Sequence, residues 1–133
     1  YLEKNTKDYI INCAAYTSVD QAEIETEKAK ELNVRVVGTL CKFAKRYKFR
    51  LIHYSTDYVF DGNKNQPYHE NEDCSPINIY GSTKANGENL ILNSEVHAWI
   101  IRTSWLFSPY GKNFVREIFS LLRNKKLKMR NTR

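Results

Sequence analysis

Short apolar runs alternate along the chain with longer segments in which apolar residues recur every three or four positions. The first run, residues 8–16, is β-branched at its centre and flanked by polar residues, which is typical of a buried strand. Residues 50–60 and 98–107 have the same character. A segment with helical spacing follows each run, so the order of strand and helix repeats three times.

The helical spacing predicts three helices. The first covers residues 21–47, in one or two pieces, the second runs from 79 to about 93, and the third covers 114–124. The first helix has a predicted buried stripe that consists of Val34, Val37, Cys41 and Ala44. Residues 61–78 are polar and contain Gly62, Pro67 and Pro76, which predicts a long loop.

This alternation favours parallel strands joined by right-handed helical crossovers, in a partial Rossmann-like, doubly wound α/β sheet. Ligands of such sheets bind beyond the carboxyl ends of the strands. The three predicted ends read AAYTS, STDYVF and RTSW, and all are rich in hydroxyl and aromatic side chains. The sequence therefore favours a small-molecule cleft at this edge.

The composition is that of one globular domain, with 133 residues, 41% hydrophobic and 27% charged. No apolar run approaches the roughly 20 residues that cross a bilayer, so we expect no membrane association. The formal charge of +6 lies at one end, because the last eleven residues hold six of the 21 basic residues and no acidic one. That distribution argues against a nucleic-acid-binding face.

The cysteines Cys13, Cys41 and Cys74 are odd in number and widely spaced, without a C-x-x-C pair. This argues against a disulfide framework and against a structural metal site. We predict that Cys13, in a strand, and Cys41, on the apolar stripe, are buried. A reducing cytoplasm is the compartment that this usage favours.

Tyr80 and Lys84 lie one turn apart on the second predicted helix, so they share a helix face. A tyrosine with a pKa near 10 is a poor acid-base catalyst at pH 7, but a nearby ammonium lowers that pKa. Ordinary helix surfaces also carry such pairs by chance. At the end of the second strand, Thr56 could bind the carbonyl oxygen that Tyr80 protonates, or it could cap a turn together with Ser55.

The segments INCAAYTSVDQAE, STDYVFDG, YGSTK and RTSW resemble the extended short-chain dehydrogenase/reductases, and within them the dTDP-4-dehydrorhamnose reductases. The resemblance runs from about residue 8 to the end of the chain, in the same order and with similar spacing. STDYVFDG and RTSW are its more specific parts. It implies an NADPH- or NADH-dependent oxidoreductase that reduces C4 of dTDP-4-dehydro-6-deoxy-L-mannose to give dTDP-L-rhamnose.

The resemblance also implies roles for single residues. Tyr80 would protonate the C4 oxygen, Lys84 would lower the Tyr80 pKa and hold the nicotinamide ribose, and Thr56 would polarise the carbonyl. The implied cofactor-binding residues are Ala15, Tyr16, Thr17, Ser55, Tyr80 and Lys84. The implied substrate-binding residues are Thr56, Asp57, Tyr58 and Trp105. Packing for Tyr16, turn capping for Asp57 and a core position for Trp105 are the alternatives.

The chain lacks the glycine-rich loop, G-x-x-G-x-x-G, that holds the pyrophosphate in this fold. The resemblance therefore implies that residues 1–133 are the central part of an NAD(P)-binding reductase domain, without its first strand-helix-strand portion and its C-terminal substrate portion. Alone, they are expected to bind the dinucleotide weakly. Relatives commonly form homodimers, sometimes with a divalent ion such as Mg²⁺ at the interface.

Two other functions stay open at this point. One is a non-catalytic regulatory subunit, of the kind associated with methionine adenosyltransferase, in which the fold serves as a binding module. The other is a different nucleotide-sugar reductase or an epimerase of the same superfamily.

Overall fold

The structure, a computed structural model, describes residues 9–111 and 113–123. The chain forms two compact units, of which the first ends at Thr103 and the second begins at Ser104. Most of the basic C-terminal segment, from residue 124 on, lies outside the described residues. Within them, no helix is long and apolar enough to cross a membrane.

The first unit is built on a parallel sheet of three strands in the order β1 (Tyr9–Asn12), β2 (Arg50–Thr56) and β3 (Ala98–Thr103). Parallel neighbours require crossover connections, and helices provide both of them. The predicted α/β class and parallel sheet are confirmed.

The strands end earlier than the apolar runs predicted. After β1, the Asn12 side chain accepts the N–H of Ala14 at 3.2 Å, and after β2 the Thr56 hydroxyl accepts the N–H of Tyr58, also at 3.2 Å. A polar side chain that binds the backbone two residues on turns the chain and ends the strand. Residues Asp57–Val59 accordingly form a short 3₁₀ turn.

The first predicted helix is divided into α1 (Val19–Ile24), α2 (Thr26–Lys30), a π-helical turn (Glu31–Arg35) and α3 (Val36–Tyr47). A π turn inserts an extra residue and rotates the helix face. The predicted stripe is consequently only partly correct. Val37, Cys41 and Ala44 are buried, but Asn33 is buried where Val34, now half-buried, was expected.

The second predicted helix is α4 (Ile79–Leu92), which begins after Asn78, whose side chain accepts the N–H of Gly81 at 2.7 Å. Helices α3 and α4 pack on each other and on one face of the sheet. The core between them contains Val37, Cys41, Leu51 and Ile91. The other face of the sheet carries large apolar side chains that are 40–57% exposed: Tyr9, Ile11, Trp99 and Ile101.

The three cysteines differ in how far they are buried. All three are free, Cys41 is buried as predicted and Cys74 is half-buried. The prediction that Cys13 is buried was wrong, because β1 ends at Asn12 and Cys13 lies exposed in the turn that follows.

The second unit contains the third predicted helix, α5 (Phe114–Arg123). Within that unit, the Trp105 ring meets the Phe114 ring edge-to-face, with centroids 4.9 Å apart.

Candidate active site

The side chains of Thr56 and Tyr80 lie next to each other at the carboxyl end of β2. Thr56 is the last residue of β2, and Tyr80 lies in the first turn of α4. The Thr56 hydroxyl also donates to the Asp57 carboxylate at 3.1 Å. The turn after the strand therefore fixes the hydroxyl beside the phenol, so turn capping and a place in the site occur together.

Tyr80 is half-buried, and its ring meets that of Tyr58 edge-to-face with centroids 5.6 Å apart. Burial raises the pKa of Tyr80, the neighbouring Thr56 hydroxyl opposes that shift, and the negative charge of Asp57 adds to it. The expectation that Lys84 lowers the pKa of Tyr80 stays a prediction.

Gly81, directly after Tyr80, allows α4 to approach the turn that follows β2. A Cβ atom at this position would lie 2.0 Å from the backbone oxygen of Tyr58. Any side chain would push the helix away. The absence of a side chain at residue 81 therefore brings Tyr80 within reach of Thr56.

Lys84 is only 2% exposed, one helical turn after Tyr80. Its Nζ donates to the Tyr54 carbonyl oxygen at 2.5 Å and lies 3.3 Å from Nε2 of His53. Burial lowers the pKa of Lys84 to about 8, although the negative charge of Glu88 opposes the shift. The lysine can therefore change its charge close to physiological pH.

Two buried polar residues support this lysine and were not predicted from the sequence. His53, on β2, is 1% exposed, and its Nδ1 lies 3.0 Å from the side-chain nitrogen of Asn12, at the end of β1. Burial lowers the pKa of His53 to about 4, and the positive charge of Lys84 adds to the shift while Glu88 opposes it. A histidine at an inward position of an apolar strand was the signal in the sequence.

Asn33, also missed, holds the chain after β1. Its side-chain oxygen accepts the N–H of Tyr16 at 2.8 Å, and its nitrogen donates to the Tyr16 carbonyl at 3.1 Å and to the Thr83 hydroxyl at 3.0 Å. The Tyr16 hydroxyl donates to Glu25 at 2.7 Å. Asn33 thus ties the segment predicted to line the cofactor, in which Ala15 is half-buried and Thr17 exposed, to the helix of Tyr80.

Ser55 provides the test of whether a nicotinamide cofactor fits. Its hydroxyl is buried and has no hydrogen-bond partner among the described residues. A buried polar atom of this kind normally has a partner. Together with the amine of Lys84, it suits the hydroxyls and amide of a nicotinamide nucleoside at the carboxyl end of parallel strands.

Three predicted substrate-binding residues remain: Asp57, Tyr58 and Trp105. Asp57 and Tyr58 are exposed beside Thr56. Trp105, in the second unit, is 71% exposed with a positive φ of 51° and lies beyond the end of β3. The sequence predicted it inside the third strand, so that part of the prediction was wrong.

A cleft of about 790 Å³ opens elsewhere in the first unit, between the loop at 70–74, α4 and β3. Three of its lining residues are acidic and lie on the loop: Glu70, Glu72 and Asp73. Neither Tyr80 nor Thr56 lines it. An acidic wall is poorly suited to a diphosphate, so the cleft is a separate feature. The described residues contain no group of three or more His, Cys, Asp or Glu that could hold a metal ion.

Comparison with known proteins gives consistent matches. A dTDP-4-dehydrorhamnose reductase of Aggregatibacter actinomycetemcomitans is 48% identical over 116 residues, which are 87% of this chain and 40% of that protein. The one of Escherichia coli strain K12 is 40% identical over 118 residues, 89% of this chain and 40% of that protein. The chain thus spans about 40% of the length of these curated relatives.

A solved structure agrees with these matches. The dTDP-4-dehydrorhamnose reductase of Bacillus anthracis strain Ames, in complex with NADP, has a TM-score of 0.89 at 37% identity, covering 92% of this chain and 44% of that one. The family model described as the RmlD substrate binding domain matches residues 1–132. The chain belongs to that family.

Proposed function

We propose that this chain carries the catalytic centre of a dTDP-4-dehydrorhamnose reductase, which uses NADPH or NADH to convert dTDP-4-dehydro-6-deoxy-L-mannose into dTDP-L-rhamnose. The observation that carries the proposal is the close approach of the first turn of α4, which holds Tyr80, to the turn that follows Thr56 at the carboxyl end of β2, with Lys84 one helical turn further on. The relatives that carry this name in three organisms support the choice of substrate.

Each of these residues has a distinct part in the reaction. The Thr56 hydroxyl orients and polarises the C4 carbonyl, and the Tyr80 phenol gives its proton to the oxygen of that carbonyl. Lys84 provides hydrogen-bond donors one turn away and, in its protonated form, a positive charge, and Ser55 contributes a buried hydroxyl toward the cofactor. When bound, the nicotinamide supplies the hydride that goes to C4.

The structural context of the reaction belongs to the same proposal. The 133 residues form the central part of an NAD(P)-binding reductase domain, and Ala15, Tyr16 and Thr17 line the cofactor. Asp57, Tyr58 and Trp105 contact the sugar nucleotide. The protein acts in the cytoplasm as a homodimer, with a divalent ion such as Mg²⁺ as a further component of the interface.

The decisive experiment replaces Tyr80 by Phe in the full-length protein. With dTDP-4-dehydro-6-deoxy-L-mannose and NADPH as substrates, Tyr80→Phe is expected to lower turnover by a factor of at least about 100, because the proton donor is lost. Binding of the sugar nucleotide, measured by calorimetry, is expected to survive. NMR identifies the product of the wild-type reaction.

Tyr9→Phe is the matched control, because Tyr9 lies at the amino end of β1, at the opposite end of the sheet from Tyr80, where its hydroxyl accepts from Arg50. It is expected to leave turnover unchanged. Full turnover by Tyr80→Phe would contradict the proposal. Binding of both ligands without any turnover by the wild type would instead indicate a regulatory subunit, and a different product would indicate another reductase or an epimerase.

A further inference from the structure

Two buried polar residues, Asn12 and His53, lead from the end of β1 to Lys84, and neither has a part in the reaction as proposed above. Asn12, His53 and Lys84 are 6%, 1% and 2% exposed. The Asn12 side-chain nitrogen lies 3.0 Å from Nδ1 of His53, and Nε2 of the same ring lies 3.3 Å from Nζ of Lys84. Each imidazole nitrogen therefore faces one neighbour.

A hydrogen bond from the backbone fixes the orientation of the Asn12 side-chain amide. Its oxygen accepts the N–H of Ala14 at 3.2 Å. A reversed amide would bring its NH₂ group against that N–H, so the nitrogen of the amide must face His53. Nδ1 then has to accept a hydrogen bond, and a neutral imidazole that accepts at Nδ1 carries its hydrogen on Nε2.

This tautomer has a consequence for the lysine. An Nε2–H group aimed at Nζ finds an acceptor only when Lys84 is a neutral amine. The amine can then accept from His53 while it donates to the Tyr54 carbonyl oxygen. An ammonium ion would instead place two donors against each other in a site without water exposure, which is unfavourable.

We propose that His53 is a positioning residue for Lys84, and that Asn12 holds its imidazole in the Nε2–H tautomer, so that the ring weakens the hold of Lys84 on its proton. Protonation of Lys84 is thereby coupled to the turn after β1. If the ammonium forms a full hydrogen bond to Nε2, the ring must carry its hydrogen on Nδ1, the Asn12 amide must rotate, and the N–H of Ala14 loses its acceptor.

The other charged groups near Lys84 act in known directions. Glu88, on α4, is its negatively charged neighbour and favours the ammonium. Arg102, on β3, pairs with that carboxylate at 2.6 Å. Burial lowers the pKa of Lys84 to about 8. A further destabilisation of the Lys84 ammonium by the His53 ring therefore changes the charge of the lysine close to physiological pH.

The first experiment reads the tautomer directly and is independent of any reaction. Nitrogen-15 NMR of the His53 ring in the full-length protein is expected to show a protonated Nε2 and an unprotonated Nδ1. In Asn12→Asp the new carboxylate accepts from both Ala14 and His53, so the hydrogen is expected to move to Nδ1. A wild-type ring with its hydrogen on Nδ1 would overturn the proposal.

The second experiment follows the ionisation of Lys84 and rests on the proposed reductase function. Asn12→Asp and His53→Gln both offer the ammonium an acceptor, so the alkaline limb of the kcat profile is expected to move up by about one pH unit. The charge control Asn71→Asp, at an exposed position, is expected to leave the limb in place. A merely structural role would lower kcat at every pH without moving the limb.

The two experiments separate the possible failures. If the protein turns over no keto-sugar, the proposed function fails while the NMR result still decides the tautomer. If the tautomer is as expected but neither His53→Gln nor Asn12→Asp moves the limb, the influence of His53 on Lys84 is refuted. His53→Gln adds no charge, so a shift in this variant supports the hydrogen-bond argument over simple electrostatics.

Discussion

The carboxylate of Glu88 on α4 is bound by the guanidinium of Arg102 on β3, with 2.6 Å between Oε2 and Nη2 and 3.0 Å between Oε1 and Nε. Glu88 is 1% exposed. Arg102 also donates to the Glu70 carbonyl oxygen at 3.0 Å. One side chain therefore joins α4, the sheet and the long loop.

Removal of the arginine is expected to destabilise the protein strongly. Arg102→Ala leaves the Glu88 carboxylate buried without its counter-ion, which costs about 3–5 kcal/mol of unfolding free energy in urea denaturation. Replacing both residues by Leu is expected to cost less than Arg102→Ala, since no charge remains buried. Lys45→Ala, which breaks an exposed pair with Glu95, should cost under about 1 kcal/mol. Equal losses for the two alanine variants would refute the argument.

A methyl group at Gly81 is expected to impair catalysis. In Gly81→Ala, the Cβ atom would collide with the Tyr58 backbone, so α4 and Tyr80 must move away from Thr56. Displacement of a catalytic group by about 1 Å costs on the order of 100-fold in kcat. Gly38→Ala is the control, because its Cβ would lie 3.3 Å from the end of the Leu90 side chain and alanine favours the helix. Steady-state assays that find kcat unchanged in Gly81→Ala would contradict the expectation.

Replacement of Ser55 is expected to weaken cofactor binding without lowering the stability of the protein. Ser55→Ala removes a buried hydroxyl that has no partner among the described residues, so urea denaturation without cofactor should show no loss, or a gain of up to about 1 kcal/mol. The affinity for NADPH, measured by fluorescence titration, should fall by about 5–10-fold through one lost hydrogen bond. Thr83→Val, which removes one of the two acceptors of the Asn33 nitrogen, should lose stability instead. A large destabilisation by Ser55→Ala would show that the hydroxyl has a structural partner.

The stability of the protein is expected to fall as pH drops from 6.5 toward 4. The folded state holds the pKa of His53 at about 4, below the ordinary 6.5, so in this window the unfolded chain binds more protons than the folded one. Stability is complete above pH 6.5 and decreases by about 3 kcal/mol by pH 4, at 1.36 kcal/mol per pKa unit.

Urea denaturation at pH 7 and pH 5 in wild type, His53→Gln and His97→Gln tests this contribution. His53→Gln should have a smaller decrease between the two pH values, while His97→Gln, at an exposed position, should behave as wild type. An identical decrease in all three proteins would show that His53 is not the group that titrates.

The local sequence pattern correctly predicted features that depend on a single helix or strand. The period of apolar residues predicted α4 and the parallel α/β arrangement, and it placed Thr56 at a strand end and Tyr80 one turn from Lys84. The strands predicted from this pattern were too long, because apolar spacing does not show that the side chains of Asn12 and Thr56 form turns. It misjudged the stripe on the first helix because a π turn shifts the register at Asn33.

The sequence by itself determined the elements, their order and the positions of the hydroxyl, phenol and amine, because these follow from hydrophobic period and turn chemistry over a few residues. Only the tertiary structure decided which buried polar groups meet. Asn12 and His53 are 41 residues apart, His53 and Lys84 31, and Asn33 and Thr83 50. Such pairs depend on how the helices and strands pack, and their charge states depend on the water that packing removes, which a local pattern does not encode.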